Sequence, residues 1–167
     1  MNIHHYYNNE LSLEMLNAMK NVHTLKFVSS FCEDDDHMIL NTFNKSIDNL
    51  PTNIEFLFLG YEFNQSINNL PNGLKCLYIT GLFNQNIDFL PNTLEVLEIM
   101  SIFDKPIDNL PDSIEILVLP INYDNDILSL PKNLRKLTLP YKYQYLKKKI
   151  PKTNASIEYI NRCRYIW

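Results

Sequence analysis

A chain of 167 residues, 46% of them hydrophobic, has room for one domain of ordinary size with a substantial core. It holds no run of about 18 apolar residues, which excludes a membrane-spanning helix, and its first residues, Met1 to His5, lack the basic stretch and apolar core of a secretory signal. The net charge of −4 divides unevenly: residues 1–131 carry five Lys/Arg against eighteen Asp/Glu, and residues 132–167 carry ten Lys/Arg against Glu158, so one end is acidic and the other basic.

Residues 9–20 space Leu13, Leu16 and Met19 about one helical turn apart, which predicts a short helix with one apolar face. Val22-x-x-Leu25-x-Phe27 follows, and apolar residues two apart predict a short strand buried on one side. The acidic run Glu33 to Asp36 comes next and reads as a solvated loop; it has neither the alternating oxygen ligands nor the glycine of a calcium loop.

From Phe43 the chain repeats every 20 residues. Phe43-Asn44, Phe63-Asn64, Phe83-Asn84, Phe103-Asp104 and Tyr123-Asp124 keep that step. So do Ile47, Ile67, Ile87, Ile107 and Ile127, and so do the Leu-Pro pairs at 50, 70, 90, 110 and 130. After each proline the strand pattern returns, as Ile54-x-x-Leu57-x-Leu59 and Leu74-x-x-Leu77-x-Ile79. A sixth, decayed unit begins at Tyr143 and keeps Ile150-Pro151, Ile157 and Tyr159, with a last strand expected near Ser156–Ile160.

Twenty residues cannot enclose a core alone, so the units must stack. Six inward positions per unit, for example Phe63, Ile67, Leu70, Leu74, Leu77 and Ile79, line each coil. Every such side chain buried is worth roughly 1.5–3 kcal/mol. The expected fold is a repeat solenoid, leucine-rich-repeat-like, with short parallel β-strands stacked in one curved sheet, mostly β and irregular coil, and a short N-terminal helical cap. Residues 1–42 form the cap with the first strand and acidic loop, 43–142 the five repeats, and 143–167 the decayed repeat and basic C-terminal cap. The Asn/Asp after each aromatic suits a turn, and stacked copies predict a polar ladder along one edge.

The Phe-Asn-x-x-Ile…Leu-Pro-x-x-Leu-x-x-Leu-x-Leu pattern resembles the FNIP repeats of amoebae and of the large DNA viruses that infect them, over about residues 43–160. The resemblance implies a leucine-rich-repeat-like scaffold that binds protein. The expected place of the leucine-rich-repeat Asn is held here by Glu62, Leu82, Ile102, Asn122 and Lys142, and Asn comes two residues later, so the turn leaving the strand differs. An F-box often precedes FNIP repeats; the 42 residues before Phe43 do not read as one, so a ubiquitin-ligase role is an analogy from relatives.

Chemistry is scarce. The three glycines, Gly60, Gly73 and Gly81, form no phosphate loop. The four histidines, His4, His5, His23 and His37, and the three cysteines, Cys32, Cys76 and Cys163, show no zinc spacing. The odd, dispersed cysteines read as reduced thiols of an intracellular protein. No cofactor, metal site or catalytic set is expected.

The alternate strand residues face outward. They include Thr24, Lys26 and Val28 at the start, Gly60, Cys76, Thr80 and Pro120 in the middle, and Lys136, Thr138 and Pro140 at the end. The partner-binding residues expected among them are Phe56, Phe58, Tyr78, Val96, Glu98, Met100, Ile116 and Val118, an apolar and aromatic patch recurring over four coils. That patch serves a protein partner or self-association, or is covered by the chain itself. Glu55, Lys75, Glu95, Glu115 and Arg135 beside it read as a solvated charge row. The basic end, with Lys147, Lys148, Lys149, Arg162 and Arg164, reads as a cap; the alternative is a patch for nucleic acid or an acidic partner.

Overall fold

The computed structural model describes residues 10–27, 30–31, 38–39, 42–145 and 150–161. His4, His5, Val28, Cys32, the acidic run 33–36, His37, Lys147 to Lys149 and the segment 162–167 lie outside the described residues.

The chain enters through helix α1 (Leu13–Ala18), whose N-cap Ser12 accepts the backbone N–H of Met15, and a 3-10 turn (Met19–Asn21). The helix is shorter than the apolar spacing predicts. Met19 is buried against the first coil and Leu11, Met15 and Leu16 pack beside it, but Leu13 is 75% exposed. Leu11, Met15, Leu16 and Met19 form the stripe that seals the coil, and Leu13 lies off it.

Strand β1 (Thr24–Phe27) opens a sheet that a two-stranded antiparallel hairpin, β2 (Ser30–Phe31) and β3 (Met38–Ile39), interrupts in sequence. The sheet continues with β4 (Phe56–Leu59), β5 (Cys76–Gly81), β6 (Val96–Ser101), β7 (Ile116–Val118), β8 (Lys136–Pro140) and β9 (Ser156–Ile160). All seven strands are parallel and neighbours in sequence order, with the register Leu25, Leu57, Leu77, Leu97, Leu117, Leu137 and Ile157. The six leucines are fully buried. Ile157, on the last strand, is 38% exposed, because no further strand follows it in the sheet.

The repeated residues each have a structural reason. Every Pro-x-x-Leu/Ile stretch is a turn in which the proline carbonyl accepts the N–H three residues on, from Pro51 to Ile54 through Pro131 to Leu134. Proline occupies the first turn position, where its own missing N–H costs nothing. The chain then enters the sheet at the charge row: the Glu55 carbonyl accepts the N–H groups of both Lys75 and Cys76, and the carbonyls of Lys75, Glu95 and Glu115 do the same for the next coil. Four of the five side chains of that row pair across coils, Lys75 with Glu55 at 3.0 Å and Arg135 with Glu115 at 3.2 Å.

The aromatic position builds a spine. Phe27, Phe43, Phe63, Phe83, Phe103, Tyr123 and Tyr143 stack in sequence, all buried. From Phe43 onward the ring centroids are 6.0 to 6.4 Å apart and nearly parallel. On the outer face of the sheet the equivalent rings of Phe58 and Tyr78 are 4.5 Å apart. Strands are held about 4.8 Å apart by their hydrogen bonds. Each coil is therefore thicker on its aromatic side than on its strand side, and the stack of wedges makes the strand face concave.

The polar ladder lies in the turn leaving the strand. Asn44 Oδ1 accepts the Asn64 N–H and the Gln65 amide, Asn64 Oδ1 does the same for Asn84 and Gln85, and Asn84 Oδ1 accepts the Asp104 N–H. The decayed unit keeps its ring, Tyr143, in the spine, but residues Tyr141–Tyr145 around it form a short helix, α2, which the repeat does not foreshadow.

Candidate functional site

The parallel register sets the concave face in rows. Phe56, Cys76, Val96, Ile116 and Lys136 form one; Phe58, Tyr78, Glu98, Val118, Thr138 and Glu158 form the next; Thr80 and Met100 stand in a third. The eight residues expected to bind a partner all lie on this face, and all are half-buried rather than open. The smaller residues expected to be exposed there are not. Gly60, Cys76, Pro120, Thr138 and Pro140 are buried, since side chains on in-register neighbours crowd together on a concave surface.

The eight residues separate into two groups. Phe56, Val96 and Ile116 share the row at the strand starts, and Phe58 stands on β4, outside the groove; the Lys26 ammonium sits 4.5 Å over the Phe58 ring, which in turn stacks on Tyr78. Tyr78, Glu98, Met100 and Val118 line a groove of about 580 Å³ that crosses β5 to β9. Thr138, Lys136, Glu158 and Ile160 continue its lining.

One wall of the groove comes from the strand ends and the turns beyond them, with Tyr61, Gly81, Leu82, Ile102, Ile121 and Asn122. Tyr61 is 45% and Ile102 53% exposed, so the rim is apolar and open. These wall residues were missed in the sequence, although a signal exists: an apolar residue, Tyr61, Leu82, Ile102 or Ile121, recurs two or three positions past the last inward position of the strand pattern, Leu59, Ile79, Ile99 or Leu119. Gly81 makes the wall close. Its φ is +73°, and a Cβ built there would lie 2.1 Å from the Tyr61 carbonyl oxygen.

The groove's charged side chains are Glu98, Lys136 and Glu158. Lys136 and Glu158 pair at 3.2 Å. Glu98 accepts no hydrogen bond and makes no ion pair among the described residues; burial raises its carboxyl above the ordinary value, and Lys136 opposes this at a distance. The Ser101 hydroxyl, in the wall, is buried without a hydrogen-bond partner among the described residues. Burial also pushes the Cys76 thiol up and the Tyr78 phenol up to about 12, so neither is ionised near neutrality. Among the described residues no group of three or more His, Cys, Asp or Glu side chains is placed to hold a metal ion, and no helix is long and apolar enough to cross a membrane.

Stacked 20-residue coils, a parallel sheet on the concave side and a ring spine behind it define a leucine-rich-repeat-like solenoid. The family profile described as FNIP Repeat matches residues 43–79 and 63–101. Residues 43–101 of the chain therefore carry FNIP repeats. No curated protein matches its sequence. Among solved structures, CroV588, described as a novel circular leucine-rich-repeat protein, aligns over 86% of this chain and 34% of its own at 23% identity and a TM-score of 0.40. The chain spans about a third of that protein's length, and the likeness is too distant to transfer any property.

Proposed function

We propose that the protein is a non-catalytic, intracellular scaffold that binds a protein partner in the concave groove of its strand face. The groove carries the proposal: it is concave, rimmed by exposed apolar side chains and lined by polar groups at separated points, the composition of a recognition site. The remote alternative, nucleic acid at the basic end, has less support. Four of the five described cations there, Lys132, Arg135, Lys136 and Lys142, pair with Asp112, Glu115, Glu158 and Asp124, which leaves Lys152 exposed without an ion pair among the described residues. A free, buried Cys76 accords with an intracellular setting.

The test is affinity capture from the native host with the wild-type chain and with Tyr78→Asp and Val118→Asp variants of unchanged circular dichroism. Loss of the same partner from both variants supports the groove. Undiminished capture removes it as the binding face.

A further inference from the structure

The groove reading can be taken one step further, to the chemistry of the occupant; the step rests on that reading. We propose that the groove takes an extended segment of a partner protein in which a lysine or arginine stands between apolar residues, with Glu98 as its counter-charge.

Three observations carry this. The first is the isolation of Glu98. Its register neighbours are Tyr78 and Val118, neither of which is charged, and the groove's one cation is already held by Glu158. A half-buried carboxylate with uncharged neighbours is costly unless a cation reaches it, and a ligand can supply that cation. The second is length. The groove spans four inter-strand steps, roughly 19 Å at about 4.8 Å per step, which an extended segment of about six residues covers at about 3.3 Å per residue. Its apolar rim, Tyr61, Ile102 and Ile121, runs alongside the carboxylate, so a single small cation would leave most of the surface unused. The third is the field. Residues 43–131, which form the coils around the groove, carry twelve Asp/Glu against three Lys/Arg, so an approaching basic segment is attracted and an acidic one or a nucleic acid is repelled.

Fluorescence anisotropy with the full chain tests the proposal. The probes are labelled eight-residue peptides of alternating leucine and serine with one central lysine, arginine, glutamine or glutamate. The lysine and arginine peptides are expected to bind at least about tenfold more tightly than the glutamine peptide, with the glutamate peptide weakest. Glu98→Gln should erase that preference, while Glu115→Gln, outside the groove, should keep it. Both variants are first checked by circular dichroism and thermal melting. Equal affinity for the lysine and glutamine peptides, or no binding of any peptide, overturns the basic-segment proposal and leaves the capture result for the groove standing. A lysine preference that persists in Val118→Arg, which sets a cation beside Glu98 in the groove, moves the site off the groove and overturns both. Light scattering that grows with protein concentration, and is lost in Val118→Asp, assigns the groove to a second copy of the chain and also overturns the proposal.

Discussion

The side-chain oxygen of Asn64 accepts the backbone N–H of Asn84, twenty residues on, at 2.9 Å. The same atom accepts the Gln85 amide at 3.0 Å, so one side chain closes two donors of the next coil. Backbone groups in a turn have no ladder partner, and a half-buried N–H left unpaired costs free energy. Asn64→Ala should therefore destabilise the chain by about 1–2 kcal/mol. Urea unfolding followed by circular dichroism measures this, and a midpoint equal to the parent's would show that water replaces the ladder freely.

Tyr123 occupies the spine position that is Phe in the four preceding coils. Its hydroxyl is buried and finds no hydrogen-bond partner of good geometry among the described residues. Tyr123→Phe should raise stability by about 1 kcal/mol, because the unfolded chain hydrates that hydroxyl and the folded chain does not. There is a pH signature as well. Burial pushes the Tyr123 phenol up to about 12 from an ordinary 10. Above pH 10 the unfolded state loses a proton that the folded state retains, so stability is complete below pH 10 and falls as pH rises toward 12. Thermal melts at pH 8 and pH 11 should show a smaller alkaline loss in the Phe variant than in the parent.

Gly81 adopts φ +73° with the Tyr61 backbone against it. Gly81→Ala combines left-handed strain with a clash against main chain that cannot rotate away, and should cost at least about 2 kcal/mol. The Leu82 N–H donates to the Tyr61 carbonyl at 2.8 Å and sits in the same wall, so the damage should extend to peptide affinity. An Ala variant with the parent's melting temperature and affinity would contradict this geometry.

Glu98→Gln should separate stability from binding. The raised carboxyl means that the folded state binds its proton more readily than the unfolded state does. The charged form therefore burdens the fold at neutral pH, and the burden is relieved as pH falls through the raised value toward the ordinary 4.5. The Gln variant should melt above the parent at pH 7 and lose that advantage near pH 4, while losing its preference for basic peptides. Differential scanning calorimetry at the two pH values reads the first effect; a variant less stable than the parent at pH 7 would show that Glu98 has a stabilising partner.

The coils were legible because their cause is local and repeated. Leu57, Leu77, Leu97 and Leu117 stand 20 residues apart, and only in-register stacking buries all four, as the structure does. The Asn ladder was legible for the same reason. The concave face was half legible: strand alternation put Tyr78, Glu98, Met100 and Val118 on it. It did not reveal that the groove favours the strand ends, nor that Gly60, Cys76 and Thr138 are buried there. Leu13 was misplaced because a six-residue helix has too few turns for spacing to mark its buried side.

Periodicity by itself thus determined the repeat length, the parallel order of the strands and the inward rows, since each follows from pairing every coil with the next. The depth of the groove, the Tyr61–Gly81–Ile102 wall and the pairing of Lys136 with Glu158, not with Glu98, were decided only in three dimensions. They depend on wedge-shaped coils accumulating a curve and on side chains from five strands meeting across it, and no single 20-residue unit contains that information.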